Sequence, residues 1–353
     1  MVEPRRAPLP VRAVSFAWVR ALKTVRHVYQ RVRTKRRSVW YRLRETATGN
    51  ALWKAAEIGG APLDRRRRSR LAVQHTRRVA FPALDRSAGY RLLGAGELAG
   101  VDEVVAVCRR VFEAKIPADA RAVAAGPASG TGVLAEKRKF LQNLLTDHDL
   151  REHPSLVDFA LSDALLGTAA DYLRAVPRLT RVDLLYSVPR AGDDRIASQL
   201  FHLDPEGVTQ AKLFLNVFDT GEAEGPFTFI PAVESARIVR EVRRWRQRHG
   251  RPHSGRYTDE EIAAVGGADA VVTVNGPAGS GVVVDTTRCL HLGSRVRPGA
   301  FRLCLYIQYC TSRERGNVFD ADRYRDDPVR YLAVAHSAGA AASDLTAPDQ
   351  AAG

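Results

Sequence analysis

Ser198-Gln199-Leu200-Phe201-His202-Leu203-Asp204, followed by the turn formers Pro205-Glu206-Gly207, is the stretch on which both fold and chemistry turn. On an extended segment residues i and i+2 point the same way, so His202 and Asp204 face one side while Leu203 packs behind them. An imidazole and a carboxylate at a strand end are two of the three ligands of a facial triad, which holds ferrous iron and leaves three coordination positions open. His291 offers the third ligand, and Arg302 follows it eleven residues later. By itself an HxD triplet is weak evidence, and a lone His291 would more often be a structural hydrogen-bonder. The other histidines fit less well: His148 sits at a polar break, His153 precedes Pro154, and His253 lies in an inserted segment.

Outward from this stretch, short β-rich runs succeed one another at residues 182–188, 198–203, 211–219, 227–230, 270–274, 281–285 and 301–309, separated by Gly, Pro and Asp clusters. Many short strands in succession indicate a β-sandwich or jelly roll, not alternating βαβ units. Helical patterns precede them. One contains Val101, Val104, Val105, Cys108, Val111 and Phe112, a second opens at Pro154, and a third runs from 165 to 176 and stops at Pro177. The fold expected is mainly β with flanking helices (α+β). Between 232 and 266 the strand pattern breaks: Ser235 is a candidate cap for a helix ending near Gly250, and Thr258-Asp259-Glu260-Glu261 reads as a second helix start. This helical insertion is a candidate lid. No internal repeat is visible.

Strand alternation assigns faces. Along 301–309, Phe301, Leu303, Leu305 and Ile307 share one face and Arg302, Cys304, Tyr306 and Gln308 the other. A mid-strand guanidinium cannot shed its charge and is costly to bury unpaired, so Arg302 wants an anion, either a protein carboxylate or a ligand. Arg295 and Arg297 flank a Pro298-Gly299 turn where solvent satisfies them. Lys212, Phe214 and Asn216 share a face opposite Leu213, Leu215 and Val217. They line either a pocket, with Lys212 attracting an anionic group, or solvent.

The 353 residues carry a net charge of +15, but residues 1–80 hold 21 Lys plus Arg and four acids, a net of +17, so the rest of the chain carries −2. Within that extension Val11, Val14, Trp18, Leu22, Val25, Tyr29 and Val32 recur at helical spacing among basic residues. A basic amphipathic helix of this kind attaches to an anionic membrane surface, binds a polyanion, or packs on the catalytic domain. The cluster Arg65-Arg66-Arg67-Arg68 with Arg70 is open in the same way, to a polyanion or membrane contact or to an exposed or flexible linker. The chain therefore divides into a basic extension at 1–94, a domain at 95–335 and a disordered tail at 336–353 rich in Ala, Ser, Asp and Gly. No uncharged apolar run approaches the roughly 18 residues of a membrane span. Four cysteines without CxxC spacing argue against a zinc knuckle or a disulfide framework and for a reducing, cytoplasmic setting, with peripheral membrane contact as an addition.

The segments 198–204, 212–219 and Glu224-Gly225-Pro226-Phe227-Thr228-Phe229-Ile230-Pro231, with His291 and Arg302, resemble the phytanoyl-CoA dioxygenase family of iron(II)/2-oxoglutarate oxygenases. The resemblance spans roughly residues 135–312 and leaves 1–95 outside. It implies a double-stranded β-helix (jelly roll, cupin-like) core, iron(II) held by His202, Asp204 and His291, and the distal carboxylate of 2-oxoglutarate on Arg302. Ser294 and Phe214 are further candidates for contact with the cosubstrate, and Lys212 and Asn216 for the substrate pocket. The implied reaction consumes O2 and hydroxylates a C–H bond of a small-molecule, lipid or glycan-related substrate, anionic or lipid-linked in keeping with the basic extension. Asp204 argues against halogenation, which needs a small residue there. After Pro231 the chain has Ala232-Val233-Glu234 where the family often has Gly-Ser-His, a departure at the substrate mouth. Two other readings stay open on the residues alone: a cupin-like metal enzyme that does not use 2-oxoglutarate, and a non-catalytic polyanion- or membrane-binding protein acting through its basic N-terminus.

Overall fold

A computed structural model describes residues 62–121, 133–190, 194–204, 209–311 and 316–335. The amphipathic pattern at 11–32 and the tail from 336 lie outside the described residues. In chain order, helix α1 (Pro62–Thr76) and strand β1 (Tyr90–Leu93) lead to α2 (Val101–Lys115), α3 (Val133–Phe140) and β2 (Leu141–Asn143). Three helices follow, α4 (Asp147–Glu152), α5 (Pro154–Ala160) and α6 (Asp163–Leu173), before β3 (Arg178–Ser187), β4 (Phe201–His202), β5 (Gln210–Asn216) and β6 (Thr228–Phe229). The insertion contributes α7 (Ala232–Arg248), β7 (Arg256–Tyr257) and α8 (Asp259–Ala264). Then come β8 (Val272–Thr273), β9 (Gly281–Val284), β10 (His291–Leu292), β11 (Arg302–Cys310) and α9 (Pro328–Val334).

The strands form two antiparallel sheets, one of six strands in the order β1-β9-β5-β11-β3-β2 and one of five in the order β7-β4-β10-β6-β8. This is the α+β jelly-roll arrangement that the strand succession implies. Alternation divides the six-stranded sheet as expected: Leu213, Leu215, Leu303, Leu305 and Ile307, each at most 1% exposed, join Val104, Cys108 and Phe112 of α2 and Leu165, Leu166 and Ala169 of α6 in one core. Burying side chains of this size stabilises by about 1.5–3 kcal/mol each. On the other face Phe214, Val282, Val284, Cys304 and Tyr306 meet Phe227 and Phe229 from the five-stranded sheet. The solvent-facing alternative for Lys212, Phe214 and Asn216 is thereby overturned, since all three are buried.

Several strands have no sequence signature. β1, β2, β7 and β10 are two to four residues long, too short for periodicity to show. β1 pairs with β9 through Tyr90↔Val284 to Leu93↔Gly281, which places residues up to 93, assigned to the extension on charge, inside the sheet. The linker alternative for the arginine cluster is overturned in the same way. α1 is a regular helix in which Arg68, 5% exposed, is bound by Asp64 and donates to the carbonyls of Val176, Pro177 and Leu332. A charge run here hides one structural clamp among exposed neighbours.

The insertion is a buttress and not a lid over the triad. Ile238 and Val242 of α7 and Ile262 of α8 pack with Phe201, Ile230 and Leu292 on the face of the five-stranded sheet opposite His202 and His291. Arg246 and Glu261, both buried, tie the two helices through bonds of 2.7 and 2.6 Å. Thr258 caps α8 as expected, in a capping box with Glu261. Ser235 does not cap α7, which begins earlier, after Pro231. Its hydroxyl, fully buried, donates to Ile230 O and accepts from Leu290 N at 2.8 Å each, stitching the first turn of α7 to the strands that carry His291. Ser235→Ala leaves both groups unsatisfied and is expected to cost about 1–3 kcal/mol, read as a lower urea midpoint at constant slope.

A second prediction concerns Asp149, which closes the α4 capping box with Thr146 and pairs with Lys115 Nζ at 2.7 Å. Burial pushes its carboxyl up, but the hydrogen bonds of Lys115 and Thr146 outweigh that and bring it down to about 2. A carboxylate depressed on folding stabilises above its unfolded value near 4 and loses that contribution as pH falls through about 2. The stability difference between wild type and Asp149→Asn should therefore be large at pH 7 and vanish near pH 2 in denaturant melts; a pH-independent difference would contradict it.

Candidate metal centre

His202 and His291 are direct register partners in the antiparallel β4–β10 pair, so two residues 89 apart in sequence stand side by side, with ring centroids 4.3 Å apart. Each ring is oriented by the backbone two residues upstream: Nδ1 of His202 lies 2.9 Å from Leu200 O, and Nδ1 of His291 lies 3.1 Å from Cys289 O. With Nδ1–H donating to a carbonyl, the tautomer is fixed and Nε2 keeps its lone pair for a metal. The chain then leaves β4 and presents Asp204, whose backbone N–H donates to Thr286 O at 2.9 Å. Asp204 Oδ1 lies 3.8 Å from His202 Nε2, and Oδ2 lies 3.4 Å from His291 Nε2. One ligand atom from each of the three residues lies within 4.8 Å of the others. The convergence expected of His202, Asp204 and His291 is thus present.

The electrostatics suit a cation. Burial, together with the neighbouring His291, holds His202 well below its ordinary value, and burial likewise lowers His291 against the pull of Asp204. Burial alone would raise the Asp204 carboxyl, but the Lys212 ammonium beside it outweighs that and keeps it below the usual carboxylate range. Two neutral imidazoles and one carboxylate form the donor set a divalent ion needs without displacing protons. Lys212 supplies the remaining contact: its Nζ is 2.5 Å from Asp204 Oδ2, which biases that carboxylate toward offering one oxygen, not two.

Arg302 is the second charged feature. It is 4% exposed and donates from one terminal nitrogen to Gly225 O at 2.9 Å. Its Nε has no hydrogen-bond partner and no carboxylate pairs with it among the described residues. Burial lowers its pKa, from a value high enough that it stays charged. The rivals are satisfied by protein acids, Arg295 by Asp259 and Arg297 by Glu222. The guanidinium lies against Gly293, two residues past His291, where a Cβ would come within 3.4 Å of it. Gly225 is equally constrained. At φ +64 with backbone of Arg295 and Val296 2.5–2.6 Å from an added Cβ, only glycine brings this carbonyl to Arg302.

Around these charges Phe214 stacks on Phe227 at 3.9 Å, and Phe227 lies 5.6 Å from the His291 ring, forming an aromatic wall. Ser294, at φ 62 and 2% exposed, has its hydroxyl 3.1 Å from that of Ser187, the register partner of Arg302. Asn216 donates to Ser280 Oγ at 3.3 Å. Sequence reasoning missed a polar ladder from Tyr306 OH to Gln308, from Gln308 Nε2 to Gln210, and from Gln210 Nε2 to the Thr286 hydroxyl, which ends at the residue holding Asp204. Alternation placed Tyr306 and Gln308 on the face of Arg302, but only the β5–β11 register shows that Gln210 and Lys212 flank them.

The chain matches no protein-family model, and no curated protein matches it in sequence. Among solved structures it is similar to EvdO2 from Micromonospora carbonacea var. aurantiaca, with 16% identity over 64% of this chain and 86% of that one and a TM-score of 0.42. It is similar to SnoK, a non-heme alpha ketoglutarate dependent carbocyclase from nogalamycin biosynthesis, with 19% identity over 71% and 92% and a TM-score of 0.39. EctD from S. alaskensis, solved with 2-oxoglutarate and 5-hydroxyectoine, is 12% identical over 66% and 83%, with a TM-score of 0.39.

Proposed function

We propose that this protein is an iron(II)- and 2-oxoglutarate-dependent oxygenase that hydroxylates a C–H bond. The observation that carries the reading is the buried guanidinium of Arg302, without an acid partner among the described residues, packed against Gly293 two residues beyond a histidine of a His-Asp-His cluster. Either feature alone is ambiguous. Together they are the two ends of a site for a metal-chelating dicarboxylate. In this reading His202, Asp204 and His291 hold the metal, and Arg302 holds the distal carboxylate with the Ser187–Ser294 hydroxyl pair beside it. The Phe214–Phe227 wall excludes water next to His291, and Lys212 keeps Asp204 oriented. With both groups bound, the chemistry supplied is oxidative decarboxylation of 2-oxoglutarate by O2 to succinate and carbon dioxide, with one oxygen atom delivered to the substrate. The acid-free Arg302 favours this reading over a cupin-like enzyme without the cosubstrate, because that enzyme has no use for an unpaired buried cation.

Anaerobic titration of the purified chain with ferrous iron and then 2-oxoglutarate tests it. A visible charge-transfer absorption that saturates with one equivalent of each is the expected result. Iron binding without any 2-oxoglutarate-dependent band would leave a metal site of another class and sink the proposal.

A further inference from the structure

Helix α7 carries the positive excess of the chain beyond its N-terminal segment. Residues 62–353 hold 40 Lys plus Arg against 36 Asp plus Glu, a net of +4, while residues 240–256 alone hold seven arginines and one acid. Everything else in 62–353 therefore sums to −2. Arg246 is buried on Glu261, and the one acid, Glu241, is bound by Arg237. Arg240, Arg244 and Arg248 are exposed and have no acidic partner among the described residues. They recur every four residues and so form a single row with about 6 Å between neighbours along the helix. The opposite side of α7, with Ile238 and Val242, is fixed on the five-stranded sheet. Like charges spaced i,i+4 repel, and a multivalent anion relieves that repulsion.

We propose that this face of α7 docks on an anionic phospholipid bilayer. Nucleic acid is the less fitting partner for two reasons. Strand-binding surfaces offer free aromatic faces for base stacking. Here the one aromatic among these arginines, Trp245, is already engaged by His249 at 4.4 Å and by the Arg251 guanidinium at 5.2 Å. The sequence of residues 11–32 also interleaves an apolar stripe containing Trp18, Leu22 and Tyr29 with basic residues, a pattern that the bilayer interface takes and a phosphate backbone does not. Interfacial binding of this kind adds buried apolar area to electrostatic attraction for anionic lipid, and the arginine row on the folded unit supplies more of the second.

The test uses the full chain, vesicles of phosphatidylcholine alone or with phosphatidylglycerol, and a variant carrying Arg240→Gln, Arg244→Gln and Arg248→Gln. Wild type is expected to co-sediment only with the anionic vesicles at about 0.1 M salt and to be released at about 1 M. The triple variant should partition about a hundredfold more weakly, with an unchanged urea midpoint because the three side chains are exposed and unpaired. Equal binding of variant and wild type would overturn the proposal, as would indifference to phosphatidylglycerol. Single-stranded RNA at equal phosphate concentration stripping the protein from the vesicles would overturn it in favour of nucleic acid.

Discussion

Asp204→Ala should abolish metal binding and, with it, succinate formation from 2-oxoglutarate. Three ligands are the minimum for a facial site, and the variant loses the only anionic one, so affinity for ferrous or cobaltous ion is expected to fall by at least about a hundredfold. The loss has a second cause. Lys212 Nζ, 2.5 Å from the carboxylate in the wild type and itself buried, would be left beside two imidazoles with its counter-charge gone. Removing one member of a buried ion pair costs about 3–5 kcal/mol, so the single variant should also melt early. Combining it with Lys212→Met removes the stranded charge. The double variant should regain most of the stability without regaining the metal, measured by urea melts beside cobalt titration. If Asp204→Ala binds metal and turns over 2-oxoglutarate like the wild type, the site assignment is wrong.

Arg302→Leu separates function from stability in the opposite sense. A buried guanidinium without an acid partner destabilises the ligand-free protein, so an apolar side chain in its place should leave the urea midpoint unchanged or raise it. Losing the charged partner of a carboxylate should weaken 2-oxoglutarate binding to the iron-loaded protein by about 2–5 kcal/mol, thirtyfold or more. Metal affinity in the absence of 2-oxoglutarate should be unaffected, since Arg302 touches none of the three ligands. A strictly structural Arg302 predicts the reverse: lower stability and normal cosubstrate binding.

Most of the candidate site is legible in the residues alone because the relevant signals are local. The alternation of Phe301 to Gln308 separates core from site face, and the register confirms it residue for residue. The i, i+2 spacing of His202 and Asp204 sets both on one side of the chain. Signals weaken where elements are short or partners distant. The two-residue strand β10 has no pattern of its own, and its pairing with β4 is what joins His202 to His291. Ser235, by type a helix cap, works in mid-turn as a stitch because the helix starts at Ala232. Arg68 sits in a run of four arginines that composition cannot tell apart.

Strand periodicity and turn chemistry act over a few residues, so the class of fold, the order of the candidate metal ligands and the two faces of the strand from Phe301 to Gln308 are legible in residue types alone. It takes the packed fold to show that Arg302 meets no acid among the described residues, that Lys212 turns inward onto Asp204, and that the 232–266 insertion braces the back of the five-stranded sheet. Those outcomes depend on which distant segments pack together and on how much water they exclude. Burial is what makes the same arginine or lysine a solvated surface charge in one place and a group in want of an anion in another.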